Sequence, residues 1–349
     1  MENSTHTQTK VKWQCPSNIA IVKYWGKKNI QIPCNSSLSI TLSNSFTEVE
    51  AELSAKTEDV PVQLAYYFEG ELSDLFGRKV VKFLENNIDS FPFLNDHALT
   101  IHSTNSFPHS AGIASSASAF GAIALAMLDL AYGFQNKEID DNFYKEASNL
   151  ARLGSGSACR SVFPSYSMWG KNSEIEGSSN QKAIEIKDIH PNFQEMRDAI
   201  LIIEDEPKKV SSTIGHGLMN NHPYAEARFI QANKRTAELV EVLKTGDIER
   251  FIQISESEAL TLHAMMMTSS EYYLLVKSGT ITAIEKLMQF RLERVIPVCF
   301  TLDAGPNLHV LYPKKYQEQV EDFINNELTD TYKKVIFDHE GTGPQKLDI

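Results

Sequence analysis

The sequence predicts an α+β fold in two units, and three observations carry that expectation. Strand-like and helix-like segments occur in both halves, they follow no regular βαβ alternation, and 349 residues suit about two domains of roughly 150 residues each. A Gly/Ser/Asn-rich stretch at 170–182 is the better boundary candidate, ahead of 220–223. No internal repeat appears, which sets solenoids and propellers aside.

Residues 19–25 alternate, with Ile19, Ile21, Lys23 and Trp25 on one side, and 99–102 is a short apolar run; both read as strands. The Ala/Leu/Met-rich run 120–130 follows a serine cluster and reads as a buried helix. Within 141–153, Phe143, Ala147 and Leu150 recur at i, i+4 and i+7, an amphipathic helix that Gly154 ends. In the second half 199–204 and 298–302 read as strands, while 225–244, 248–262, 281–290 and 316–328 show helical spacing. Residues 339–349 read as a tail.

Lys plus Arg number 33 against 45 Asp plus Glu, a net charge of −12. Such a chain repels phosphate backbones and anionic lipid, which excludes nucleic-acid and membrane-surface roles. Apolar stretches such as 122–128 stop short of the roughly 18 residues that span a bilayer, and Asp129 interrupts this one, so no transmembrane helix is expected. The first ten residues lack an apolar signal core. Cys15, Cys34, Cys159 and Cys299 are too few and scattered for a disulfide framework. These features together predict a soluble, cytoplasmic protein with reduced thiols.

Several segments are able to carry chemistry. The run PHSAGIASSAS at 108–118 places small residues and serines before a helix, where a phosphate approaches the backbone closely and meets free N–H groups; a close-packed Ala/Ser helix start explains it equally well. Neither a P-loop nor G-x-G-x-x-G is present. The turn GSGSACRS at 154–161 delivers Arg160, whose planar fork suits a carboxylate or phosphate, although a helix end followed by a surface loop is commoner. Lys23 continues the apolar side of Ile19 and Ile21 and must snorkel or find an anion; Lys27 and Lys28 follow Gly26. In TLDAGPN at 301–307, Asp303 ends a strand at the mouth of a turn, as a catalytic carboxylate or as an ordinary turn residue. The segment KKVSSTIG at 208–215 pairs lysines with hydroxyls, and Ser211 or Ser212 also reads as an N-cap. His263 reads as a satisfied core histidine, and no histidine or cysteine spacing indicates structural zinc.

In combination and order, these segments, with NIAIVKYWGK at 18–27 and NSSLSITL at 35–42, closely resemble the mevalonate diphosphate decarboxylase family of the GHMP kinase superfamily. The resemblance implies a ribosomal-protein-S5-domain-2-like N-terminal, ATP-binding domain (1–190) and a smaller ferredoxin-like C-terminal domain (191–349), with the active site in the cleft between them. It implies conversion of mevalonate 5-diphosphate and MgATP to isopentenyl diphosphate, ADP, phosphate and carbon dioxide, in the mevalonate route to isoprenoids. A tertiary hydroxyl leaves poorly, so it is first phosphorylated; loss of phosphate then draws out the neighbouring carboxylate as carbon dioxide. By motif, Asp303 orients or deprotonates the hydroxyl, Lys23 sits beside it, and Arg160 binds the substrate carboxylate with Asn18 positioning it. Tyr24, Lys27, Ser157 and Ser212 hold the diphosphate, with Arg78 added on weaker local similarity. The loop with Gly112, Ser115, Ser116 and Ser118 cradles ATP. Magnesium arrives on the ATP phosphates, touched by Ser116, without a protein cage. A homodimer is the family expectation.

Three departures stand out. Pro164 and Ser165 replace two glycines, which bears on backbone approach to a ligand. The segment MMMTSSE at 265–271 replaces a family segment with adjacent prolines that borders the cleft at the substrate's phosphate end. Ala119 stands where glycine is common. Three other readings therefore stay open: mevalonate 5-monophosphate as substrate, a kinase that phosphorylates mevalonate without elimination, and a non-catalytic metabolite-binding protein.

Overall fold

The structure, a computed structural model, describes residues 9–108, 113–205 and 212–349, without the side chains of Ser212 and Thr213. The first unit runs β1 (Lys10–Val22), β2 (Lys27–Lys28), β3 (Ile32–Pro33), β4 (Ser37–Ala55), β5 (Leu64–Phe68), β6 (Glu71–Leu72), α1 (Asp74–Glu85), β7 (His97–Asn105), α2 (Ser115–Gln135), α3 (Asp141–Gly154), α4 (Ala158–Ser161), β8 (Tyr166–Trp169) and β9 (Ile184–Glu185). The second runs β10 (Arg197–Ile202), α5 (Ser212–Gly217), α6 (Ala225–Thr245), α7 (Ile248–Met267), α8 (Ser278–Arg294), β11 (Cys299–Leu302), β12 (Leu308–Tyr312), α9 (Gln317–Glu327), β13 (Lys334–His339) and β14 (Gln345–Leu347).

The first sheet has the order β14-β1-β4-β7-β5-β6, with β8 on β4 and β9 on β8; the second is β11-β12-β10-β13. Among the described residues every strand pairing is antiparallel except β5 with β7. The α+β expectation is met. Each predicted strand and helix overlaps an observed one, with shifted ends: β1 stops at Val22, so Lys23 and Trp25 lie beyond the strand that 19–25 suggested, and β10 stops at Ile202.

Alternation in β1 (Val11, Trp13, Cys15 inward) and the apolar length of α2 build one core, in which Trp13 stacks on Phe143 at 5.6 Å. Full burial of such a side chain is worth about 2–3 kcal/mol. A second core, including Ile19, Ile21, Ile40, Ile200, Phe251 and Leu311, joins the two sheets. Asp140 starts α3 by accepting the N–H groups of Asn142 and Phe143, and Asp247 does the same for α7 through Arg250.

The structure changes three expectations. The helix predicted at 120–130 extends over Ser115–Gln135 and is long and apolar enough, by length and composition, to cross a membrane. Its apolar surface is instead turned into the fold, where 78% of its apolar 18-residue stretch is buried. Its one acid, Asp129, accepts Trp13 Nε1 at 2.8 Å and pairs with Lys346 at 2.8 Å. Residues 339–349 are not a tail, because β14 pairs with β1 from Lys12↔Leu347 to Gln14↔Gln345. The stretch 170–182 lies between β8 and β9, both in the first sheet, and the chain crosses to the second sheet only between β9 and β10. All four cysteines are free thiols.

Candidate active site

Lys23 follows directly on β1, and its ammonium has turned inward. The residue is 1% exposed. Its Nζ donates to the Ala20 carbonyl at 2.5 Å and pairs with Asp303 Oδ1 at 3.0 Å. Burial lowers the Lys23 pKa and Asp303 works against that shift. Of the two fates open to this lysine, snorkelling or pairing, the structure shows pairing. Asp303 stands one residue past β11, where the turn closes with Gly305 N–H on its carbonyl at 2.7 Å. Its side chain keeps 28% of its surface open, so the pair presents the carboxylate, not the lysine, to the cleft.

Arg160 is delivered by α4 and is 2% exposed. Its Nε donates to Ser39 Oγ at 3.0 Å and its Nη1 to Ser37 Oγ at 2.6 Å, while no carboxylate among the described residues pairs with it. Asp303 is nonetheless close enough for its charge to raise the Arg160 pKa against the lowering by burial. A buried guanidinium held by hydroxyls alone keeps an uncompensated charge, which an incoming carboxylate neutralises. Asn18 Nδ2 donates to Ser161 Oγ at 2.8 Å and to the Ser157 carbonyl at 3.2 Å, leaving its Oδ1 buried without a hydrogen-bond partner. Lys23, Asp303, Arg160, Asn18 and Ser157 thus come together. Ser37 and Ser39, which orient Arg160, were not among the predicted site residues, although both belong to the NSSLSITL segment.

Tyr24 packs edge-on to Trp169 at 4.8 Å and against His216 at 4.3 Å, with its hydroxyl buried and unpartnered. Buried polar groups are normally hydrogen-bonded, and Tyr24 OH and Asn18 Oδ1 are two of the buried polar atoms among the described residues that have no such partner. Lys27 starts β2 and reaches Gln31 Oε1 at 3.3 Å. Arg78 is exposed on α1, and no described hydrogen bond or ion pair joins it to the other candidates. The side chain of Ser212 and all of Gly112 lie outside the described residues.

The N-terminus of α2 begins at Ala114, held at φ +42°, without a side-chain cap among the described residues. Ser116 Oγ meets Ser155 Oγ at 3.2 Å. Ser118 is buried, and its hydroxyl bonds Thr47 Oγ1 at 2.7 Å and the Ser115 carbonyl at 3.2 Å, which holds the start of the helix from inside. Beside Ser115 and Ser116 opens a cavity of about 220 Å³ walled by Tyr66, Phe68, Phe76, Phe120 and the Ala119 methyl. Its aromatic rings, drawn from β5, α1 and α2, were invisible to motif reading. The larger surface grooves, about 620 and 570 Å³, contain none of the predicted site residues.

The departures from the family pattern also have places. Ser165 takes φ +53°, a conformation that favours glycine, and bonds Glu340, while Pro164 lies under Gly343. The segment therefore touches the C-terminal strand region. Met265 and Met266 pack with Trp25, Leu262 and Ala304, next to both Tyr24 and Asp303.

Comparison with known proteins gives a consistent picture. The family described as diphosphomevalonate decarboxylase-like N-terminal domain matches residues 15–181. The mevalonate 5-diphosphate decarboxylase C-terminal domain matches residues 199–346. The diphosphomevalonate decarboxylase of Eremothecium gossypii is 30% identical over 328 residues, 89% of this chain and 79% of its own. The crystal structure of mevalonate diphosphate decarboxylase from Staphylococcus aureus superposes with a TM-score of 0.84 at 27% identity, covering 97% of this chain and 98% of that one. MDDEF in complex with MVAPP, AMPPCP and magnesium superposes with a TM-score of 0.82 at 29% identity, over 98% and 99% of the two chains.

Proposed function

The chain belongs to the mevalonate 5-diphosphate decarboxylase family, and from that premise we propose that Asp303, Lys23, Arg160 and Asn18 carry its ATP-dependent decarboxylation. The observation that carries the reading is the pairing of a buried Lys23 with the half-open Asp303 carboxylate at 3.0 Å, within electrostatic reach of an Arg160 that no carboxylate among the described residues pairs with. Asp303 faces the cleft and receives or orients the proton of the C3 hydroxyl, and Lys23 keeps that carboxylate ionised and offsets negative charge arriving beside it. Arg160 and Asn18 fix the substrate carboxylate so that its bond to the neighbouring carbon stays aligned with the carbon that loses oxygen. Tyr24, Lys27, Ser157 and Ser212, with Arg78, hold the diphosphate, and the orphaned Tyr24 hydroxyl supports that placement.

The uncapped start of α2 with Ser115 and Ser116 suits the phosphates of MgATP, Gly112 belonging to the same loop, and the aromatic cavity beside it suits the base. ATP with magnesium supplies the phosphoryl group that turns a hydroxyl into a leaving group. The same reading divides the chain at 190/191 and makes it a cytoplasmic homodimer, which sedimentation and fractionation test.

Purified protein given mevalonate 5-diphosphate, ATP and magnesium should release carbon dioxide and ADP in equal amounts. Asp303→Asn should lose about three or more orders of magnitude in kcat, and robust turnover by that variant would remove Asp303 from its role. ADP without carbon dioxide would select a kinase, binding without turnover a metabolite-binding protein, and a higher kcat/KM on the 5-monophosphate a different substrate.

A further inference from the structure

Lys23 belongs to the first unit and Asp303 to the second, so neither local sequence sets the distance between them. One helix, α7, reaches both. Glu258 on α7 is fully buried and accepts the Lys23 backbone N–H at 2.9 Å. Further along the same helix, His263 Nε2 lies 3.1 Å from the Asp303 carbonyl oxygen. Arg228 of α6 grips both Glu258 oxygens, at 2.8 and 2.6 Å, and its Nη2 also donates to the Lys23 carbonyl at 3.3 Å. The Lys23 residue is therefore held at its N–H by a carboxylate and at its C=O by the guanidinium that grips that carboxylate, together with Asn35 Nδ2 at 2.9 Å. Burial alone would raise the Glu258 pKa, but Arg228 and then Arg235 hold it below the usual carboxylate range. Neither Glu258 nor Arg228 touches the Lys23 ammonium or the Asp303 carboxylate.

We infer that Glu258 and Arg228 are positioning residues, which use α7 as a common strut to hold the Lys23 ammonium in register with Asp303; this rests on the function proposed above. Arg235 supplies the internal control. It bonds Glu258 at 2.9 Å and Ser257 at 2.6 Å, within the same buried cluster, but makes no contact with Lys23.

The test compares Glu258→Gln, Arg228→Gln and Arg235→Gln in the decarboxylation assay, with folding followed by circular dichroism and thermal midpoint. Glu258→Gln and Arg228→Gln should lower kcat by about ten- to hundredfold, the cost of a misplacement near 1 Å, with KM for both substrates changed less than about threefold. Arg235→Gln should keep kcat within about twofold even if its midpoint falls. Folded Glu258→Gln or Arg228→Gln at wild-type kcat would overturn the inference, as would an equal kcat loss in Arg235→Gln, which would make the cluster merely structural. If the single variants do not fold, the double variant E258Q/R235Q, which leaves the net charge of the cluster unchanged, is judged by the same criterion. A wild-type protein that releases no carbon dioxide overturns the proposed function instead, so the two failures are distinguishable.

Discussion

Single residues show how burial is converted into chemistry. Lys23 tolerates its position because Ala20 and Asp303 accept its hydrogen bonds, and removal of Asp303 takes away the main opposition to the lowering of its pKa by burial, leaving only the more distant charge of Glu258. Lys23→Met should therefore fold but lose about two to three orders of magnitude in kcat, read in the same carbon dioxide assay. His216 shows the opposite case, a neutral side chain that cannot take a charge. It lies between the rings of Tyr24 and Trp25, 4.3 and 4.7 Å away, and its Nδ1 accepts the Gly26 N–H at 3.0 Å. Burial, then Lys27, push its pKa down from 6.5 to about 3. Below about pH 6.5 the unfolded chain binds a proton that the folded chain refuses, so stability is lost as pH falls from there toward 3. At about 1.4 kcal/mol per pH unit the loss by about pH 5 comes to about 2 kcal/mol. Urea unfolding at neutral and at acidic pH measures it, and His216→Gln should flatten the decline; an unchanged slope would refute the assignment.

Elements place these residues, and one close approach matters most. A Cβ added at Gly121 would stand 2.4 Å from Cys15 Sγ, so only glycine lets α2 lie this near β1. Gly121→Ala should cost about 1–3 kcal/mol by overpacking. Because α2 carries Ser115 and Ser116, it should also raise KM for ATP more than KM for mevalonate diphosphate, which steady-state kinetics would show. The helices α3 and α7 were legible because single-face periodicity is a local signal. The spacing of Val80, Phe83 and Leu84 announces α1 as clearly, though it is missing from the predicted elements. The strand β4 was hidden, since Ser37 to Leu42 are buried on both faces and the serines that face Arg160 break the apolar run a buried strand usually shows. Asp303, Lys23 and Arg160 stood out locally only as ambiguous candidates, and their roles came from the family resemblance, because the contacts that join them span both halves of the chain. Glu258 did not stand out: an acid on a helix looks solvated until α6 brings Arg228 to it.

At the scale of the molecule, the two units are tied together at the site and again at the far end of the chain. The strand β14 completes the first sheet, Lys346 neutralises the buried Asp129, and Gly341 N–H and C=O bond Thr41 and Ser165. Deleting residues 341–349 removes these contacts together and uncovers the edge of β1. The truncated protein should lose about 3 kcal/mol or more, from the stranded Asp129 and several backbone hydrogen bonds. Calorimetry would show this as a lowered midpoint, and an unchanged midpoint would mean that the strand is ornamental.

That closing strand also imposes an order on synthesis. The β1 edge is made early and its partner β14 is translated only after the whole second unit, so the N-terminal half cannot complete its sheet as it leaves the ribosome. For that interval one margin of β1 carries unpaired N–H and C=O groups, the kind of edge on which chains stick to one another, and only the arrival of β14 closes it.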